Sequence, residues 1–171
     1  MTERPVVHST LVLERSYEAS PMRVFAAWAD PEAKARWFAC HAEYTLDFRV
    51  GGGEFTRGGE EGGPVFTTNV TFHDIVPERR ILYTYALHRD GVRTTVALVT
   101  VEFEGKGGGT RLIVTEQGAH LDTDDVPTHL EEGMREGLER LAAELQEMAT
   151  VGVGGQLADR SASTSGGPTT G

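Results

Sequence analysis

Three sets of residues in this chain are of types that do chemistry. The stretch RVGGGEFTRGGEEGG, residues 49–63, is rich enough in glycine to cradle a phosphate. Cys40 and His41 place a thiol beside an imidazole, and Tyr83, Tyr85 and Glu116 set two phenols and a carboxyl among apolar, strand-like segments. A phosphate loop must hand the anion to the free N–H groups of a following helix. Gly51-Gly52-Gly53 instead runs into Glu54-Phe55-Thr56-Arg57, which reads as strand, and no Gly-Lys-Ser/Thr follows. These glycines are therefore expected to supply positive-φ turns and bulges between hairpin strands. Neighbouring residues of a strand point to opposite faces, so Cys40-His41 is not expected to act as a nucleophilic pair.

Cys40 is the sole cysteine, so no intrachain disulfide and no thiolate cluster can form. The six histidines show no HExxH or similar spacing, and no metal or organic cofactor is expected. His129 is expected in solvent. Glu116 shares strand parity with Leu112 and Val114, which turns its carboxyl inward. Burial would raise its pKa and suit it to act as an acid or base. Tyr83 and Tyr85 would offer hydroxyls to the same interior. Asp47 and Arg49 are expected to pair on the outer surface across the sheet.

The elements that must position these groups follow from periodicity. STLVLERSY (9–17) reads as a strand. Ser20-Pro21 then Asp30-Pro31 each offer a capping side chain before a proline at the first helical position, predicting two short helices, the second through about Trp37. From residue 43 the period is two: EYTLDFRV (43–50), GEFTR (53–57), VFTTNVTFHDIV (65–76), RILYTYALH (80–88), RTTVALVTVEFE (93–104) and TRLIVTEQ (110–117). The gaps hold glycine or proline, which predicts an antiparallel meander. A capping box with Thr128 as N-cap and Glu131 opens the last helix. Its apolar stripe runs through Leu130, Met134, Leu138, Leu141, Leu145 and Met148. Gly133 and Gly137 within it either permit close backbone approach or leave room for a guest.

At 171 residues, 39% hydrophobic and 25% charged, the chain suits one soluble domain. Net charge is −10, and Asp159 and Arg160 cancel in the last 21 residues, so the acidic excess belongs to the folded part. Such a surface repels nucleic acid and anionic membranes, and neither is an expected partner. Met1-Thr2-Glu3-Arg4-Pro5 lacks the apolar core of a signal peptide, and no run reaches the roughly 18 apolar residues of a membrane span, so a cytoplasmic location is expected.

The order of strand, two short helices, meander and long helix resembles the α+β helix-grip fold of the START and birch-pollen-allergen superfamily. Within it the chain is similar to the SRPBCC branch named after the activator of heat-shock chaperone ATPase (AHSA-type). The resemblance is carried by Ser20-Pro21 with Val24, Phe25 and Trp28, by Asp30-Pro31 with Trp37, and by Asp47-Phe48-Arg49-Val50-Gly51-Gly52. Pro77 to Tyr85, Val99 to Phe103, Gly109 to Leu112 and His129 to Met134 continue it, over roughly residues 10–148. It implies a curved antiparallel sheet wrapped around the long C-terminal helix with a cavity between them, in which relatives hold a small hydrophobic or amphipathic molecule. Residues 9–149 would form this domain, after an extension at 1–8 and before a disordered tail at 150–171.

The cavity is expected to be lined by Phe48, Phe55, Phe66, Tyr83, Tyr85, Val99, Val101, Leu112, Val114 and Glu116 of the sheet, with Glu116 where relatives often carry histidine. Met134, Leu138 and Leu141 would face them, and Trp28, Trp37 and Phe38 would close the entrance. Some relatives catalyse polyketide-type cyclisation, dehydration or hydrolysis, for which Glu116, Tyr83 and Tyr85 are the candidates here. The founding eukaryotic members stimulate a chaperone in a stress response. They carry an additional N-terminal domain that this chain has no room for, so a chaperone partner is disfavoured. A homodimer is compatible with the sequence.

Overall fold

The computed structural model of the protein describes residues 3–39, 43–121 and 126–159. Strand β1 (Val7–Tyr17) is followed by helices α1 (Pro21–Ala29) and α2 (Pro31–Trp37). Strands β2 (Glu43–Leu46), β3 (Gly53–Gly58), β4 (Phe66–Val76), β5 (Arg80–Arg89), β6 (Val92–Lys106) and β7 (Gly109–His120) come next, and helix α3 (Val126–Asp159) ends the described chain. The seven strands form one antiparallel sheet in the order β1-β7-β6-β5-β4-β3-β2. The meander thus runs from one edge inward, and β1 closes onto its last strand. A curved sheet gripping a C-terminal helix is the α+β helix-grip architecture.

The two capped prolines set the chain's path between β1 and β2. Ser20 Oγ accepts from the Arg23 N–H and Asp30 Oδ1 from the Glu32 N–H, with Pro21 and Pro31 opening the helices. Each cap satisfies a donor that the first helical turn leaves free. Asp30 ends one helix and starts the next, which bends the chain and buries Val24, Ala27, Trp28, Ala33 and Trp37.

The glycine-rich stretch is a set of turns. Strand β2 ends at Leu46, earlier than the alternation of 43–50 implies, and Val50 is exposed rather than inward. Gly51 has φ +80°, and a Cβ on Gly52 would lie 2.2 Å from the Asp47 carbonyl oxygen. The loop is tied back where Gly51 N–H donates to Phe72 O and Phe72 N–H to Gly52 O. Only glycine fits such a fold-back of the chain upon itself. Asp47 and Arg49 do pair at the surface, at 2.9 Å, but two residues apart in this loop and not across strands.

α3 begins at Val126, so Thr128 lies inside the helix and not at its N-cap. The helix also continues through Asp159, past the boundary expected after Ala149. Cys40, His41 and residues 160–171 lie outside the described residues. No described helix is long and apolar enough to cross a membrane.

Candidate ligand cavity

α3 is fastened along its middle turns. Tyr17 Oη donates to Leu138 O at 3.0 Å, an Arg23 guanidinium N–H donates to Leu145 O at 2.9 Å, and Arg140 Nε–H donates to Trp37 O at 2.8 Å. Arg36 pairs with the buried Glu144 at 2.6 Å. Beneath these turns lies a packed core of aromatic and aliphatic side chains. Trp28 and Trp37 meet edge to face with ring centroids 5.0 Å apart, and edge-to-face contacts link Phe103, Phe25, Phe48, Phe72 and Tyr83 in sequence. Val99, Val101, Leu112, Val114, Leu138 and Leu141 are fully buried in this same core. These six, with Trp28, Trp37 and Phe48, pack in or against this core and are not among the residues that line the cavity beneath the start of α3. Bulky side chains from α1 and α2 reach into the grip and occupy the space that the sheet and α3 would otherwise enclose.

Toward the start of α3 the filling stops. A cavity of about 170 Å³ lies beneath Leu130, Gly133 and Met134 of α3. Phe38 bounds it from the end of α2; Thr68, Val70, Tyr83, Tyr85 and Leu87 form its sheet wall, and Glu54 and Glu116 its carboxyl groups. Gly133 lines the cavity at an exposed position of α3, and a Cβ there would meet nothing within 4 Å. Gly137 is buried beside Trp37, yet a Cβ there would make only an ordinary contact at 3.9 Å, so close approach does not require glycine. A wider outer cleft shares Phe38, Thr68 and His129 with the cavity, and Phe66, which is 42% exposed, lines that cleft alone. His129 is exposed at the rim between the two. Phe55 lies on the other face of β3, since its neighbour Glu54 is the one turned inward.

Of the residues expected at the site, the structure brings together Phe38, Tyr83, Tyr85, Glu116 and Met134. It adds Glu54, together with a lysine that composition alone assigns to solvent. Lys34 Nζ lies 2.8 Å from Glu54 Oε2 and 4.9 Å above the rings of both Trp28 and Phe38. Tyr44 Oη donates to Glu54 Oε1 at 2.7 Å. Both carboxylate oxygens of Glu54 are thus engaged. A signal existed: Lys34 precedes Trp37 and Phe38 by three and four residues, which puts it on the buried face of α2.

Glu116 is placed differently. Tyr85 Oη donates to its Oε1 at 3.0 Å, and no cation pairs with it among the described residues. Burial pushes the Glu116 carboxyl above its ordinary value, opposed by the Tyr85 hydrogen bond. The sheet register explains the contact. Tyr85 stands opposite Ala97, and Ala97 opposite Gly118, so small residues beside Tyr85 leave its ring free to lean toward Glu116. Tyr83 stands opposite Val99, which stands opposite Glu116, so Tyr83 and Glu116 flank one valine in a single cross-strand row. Burial first, then Glu54 and Glu116, raise the Tyr83 hydroxyl well above its ordinary range, and burial with Glu116 does the same to Tyr85.

Among the described residues, no group of three or more His, Cys, Asp and Glu side chains is gathered as a metal site. The arrangement is an apolar pouch with phenol and carboxyl groups at its floor, open toward solvent beside the first turns of α3.

A curved antiparallel sheet closed by a C-terminal helix, with a pouch beneath the first turns of that helix, defines a helix-grip protein. The chain belongs to the family described as Activator of Hsp90 ATPase homolog 1-like protein, whose model matches residues 18–150. A solved structure from Rhizobium loti is 46% identical, with 82% of this chain and 99% of that chain covered and a TM-score of 0.77. One from Rhizobium leguminosarum is 40% identical over 85% of this chain and 99% of that one, with a TM-score of 0.80. A protein from Chromobacterium violaceum is 26% identical over 80% and 96% of the two chains, with a TM-score of 0.69. No functionally curated protein matches the chain.

Proposed function

We propose that the protein binds a small, neutral, largely apolar molecule in the pouch between β4, β5, β7 and the first turns of α3. The observation that supports this reading is the cavity of about 170 Å³ beside a packed aromatic and aliphatic core. An apolar cavity of about 150 Å³ suffices for benzene, so this one suits a single ring with a few further atoms. Apolar burial supplies most of the affinity, at about 25 cal/mol per Å² before ordering costs. Charge is disfavoured: Lys34 already neutralises Glu54, and an ion without a buried partner carries a large desolvation cost. Ligand-observed NMR with ethylbenzene tests the reading. Saturation transfer is expected, with perturbed amide shifts at Val70, Tyr83 and Met134; no transfer and no shifts at millimolar ligand would refute it.

One feature favours a second reading, an enzyme of cyclase, dehydratase or hydrolase type. Glu116 is a buried carboxyl of raised pKa, hydrogen-bonded by a phenol and facing the cavity, which are the attributes of a general acid. Glu116→Gln would abolish proton donation while keeping shape; unchanged turnover on a substrate found by extraction from the purified protein eliminates this role.

A further inference from the structure

The floor of the cavity holds a hydroxyl that the fold itself leaves without a partner. Tyr83 is 5% exposed and lines the cavity, yet its Oη makes no hydrogen bond among the described residues. Its neighbours with carboxyl groups do have partners: Glu54 holds Lys34 and Tyr44, and Glu116 holds Tyr85. The hydroxyl is not sealed in the core but opens onto the cavity, so it can donate to whatever fills that space.

We infer that the ligand presents a carbonyl oxygen to this floor, where it accepts a hydrogen bond from Tyr83 Oη. This rests on the ligand-binding reading above. The register supplies the geometry. Tyr83 and Glu116 lie on strands separated by β6, with Val99 between them in the same row, so their Cα atoms are about 10 Å apart. Both side chains line the same cavity, so a ligand held there meets both.

Proton counting sets the chemistry. The Tyr85 hydroxyl is used on Glu116, whereas the Tyr83 hydroxyl is not used on any described residue. A carbonyl oxygen accepts from Tyr83 and brings no donor that needs a buried acceptor of its own. A carboxylate would instead lie beside the carboxyl groups of Glu54 and Glu116.

Three matched probes test this: acetophenone, ethylbenzene, which lacks the oxygen, and benzoate, which carries charge. Affinities are measured by NMR titration on the full chain, and the carbonyl stretch of bound acetophenone by infrared difference spectroscopy. Acetophenone is expected to bind at least tenfold tighter than ethylbenzene, with its stretch shifted to lower frequency, and benzoate weakest. Tyr83→Phe is expected to reduce the ratio of ketone to hydrocarbon affinity about tenfold, one hydrogen bond's worth, and to weaken the infrared shift. The dispersion of the variant's amide NMR spectrum reports that it is folded. Equal affinities for the ketone and the hydrocarbon, an unshifted stretch, or benzoate binding tightest would overturn the inference and leave the ligand-binding reading standing. Binding of none of the three would overturn both.

Discussion

Lys34 Nζ and Glu54 Oε2 lie 2.8 Å apart with each side chain only 2% exposed, joining α2 to β3 through an ion pair at the cavity edge. Desolvation makes such a pair a weak source of net stability, but removing one member leaves a buried charge uncompensated. Lys34→Met is therefore expected to destabilise the protein by about 3–5 kcal/mol, and Lys34→Met with Glu54→Gln by much less. Urea unfolding of the single and double variants measures the difference; additive losses would refute the coupling.

Glu116 should make stability depend on pH. Its carboxyl is raised in the folded protein, so folding is favoured most below the ordinary carboxylate pKa of 4.5, where both states are protonated. That contribution is lost as pH rises through the folded value, because the unfolded chain ionises more readily. Glu116→Gln is expected to flatten this limb of the profile, read as urea midpoints between pH 4 and 8. An unaltered profile would contradict the assignment.

His120 gives a dependence on the other side. Its ring is buried, with Nε2 2.7 Å from Ser9 Oγ and Nδ1 3.0 Å from Thr95 Oγ1. Burial first, then His8, lowers its pKa below 6.5. Above pH 6.5 neither state carries the proton; as pH falls below that, the unfolded chain takes it up first and stability declines toward the folded value. NMR titration of the imidazole is expected to show a midpoint below 6.5, and a midpoint above it would overturn the direction.

The same ring dictates a glycine. A Cβ on Gly118 would lie 2.9 Å from two atoms of the His120 imidazole, and that ring is held by hydrogen bonds at both nitrogens. Gly118→Ala is expected to cost about 1–3 kcal/mol through overpacking, measured as a fall in thermal midpoint.

Gly133 should behave oppositely. With nothing within 4 Å of its missing Cβ and a position inside α3, Gly133→Ala is expected to stabilise the fold by up to about 1 kcal/mol. Gly133→Leu would project into the cavity from its α3 wall and weaken ethylbenzene binding in the NMR titration, and unchanged binding would show that this wall does not confine the guest.

Much of the architecture was readable along the chain because local rules govern it. Ser20-Pro21 and Asp30-Pro31 cap their helices as side chains adjacent in sequence must, and the period-two segments became β2 to β7. Where reading failed, a distant contact had overridden the local pattern. The alternation of 43–50 implied one continuous strand, but the fold-back at Gly51-Gly52 ends it at Leu46 and leaves Val50 exposed. Alternation alone made Phe55 the expected inward residue of β3, yet Glu54 turned inward to meet Lys34, twenty residues earlier. The glycines of α3 could be flagged from sequence, but only their surroundings distinguish an open side at Gly133 from packing at Gly137.

The sequence by itself determined the order of elements, their capping and turns, and the single apolar stripe that requires α3 to lie on the sheet. These depend on residues within a few positions of one another. Which part of the interior is solid and which is hollow was decided only by the tertiary structure. That balance compares the summed volume of Trp28, Trp37 and their neighbours with the space that strand register and sheet curvature enclose. The same register set Tyr83 and Glu116 on either side of Val99, a relation between three strands that no local pattern encodes.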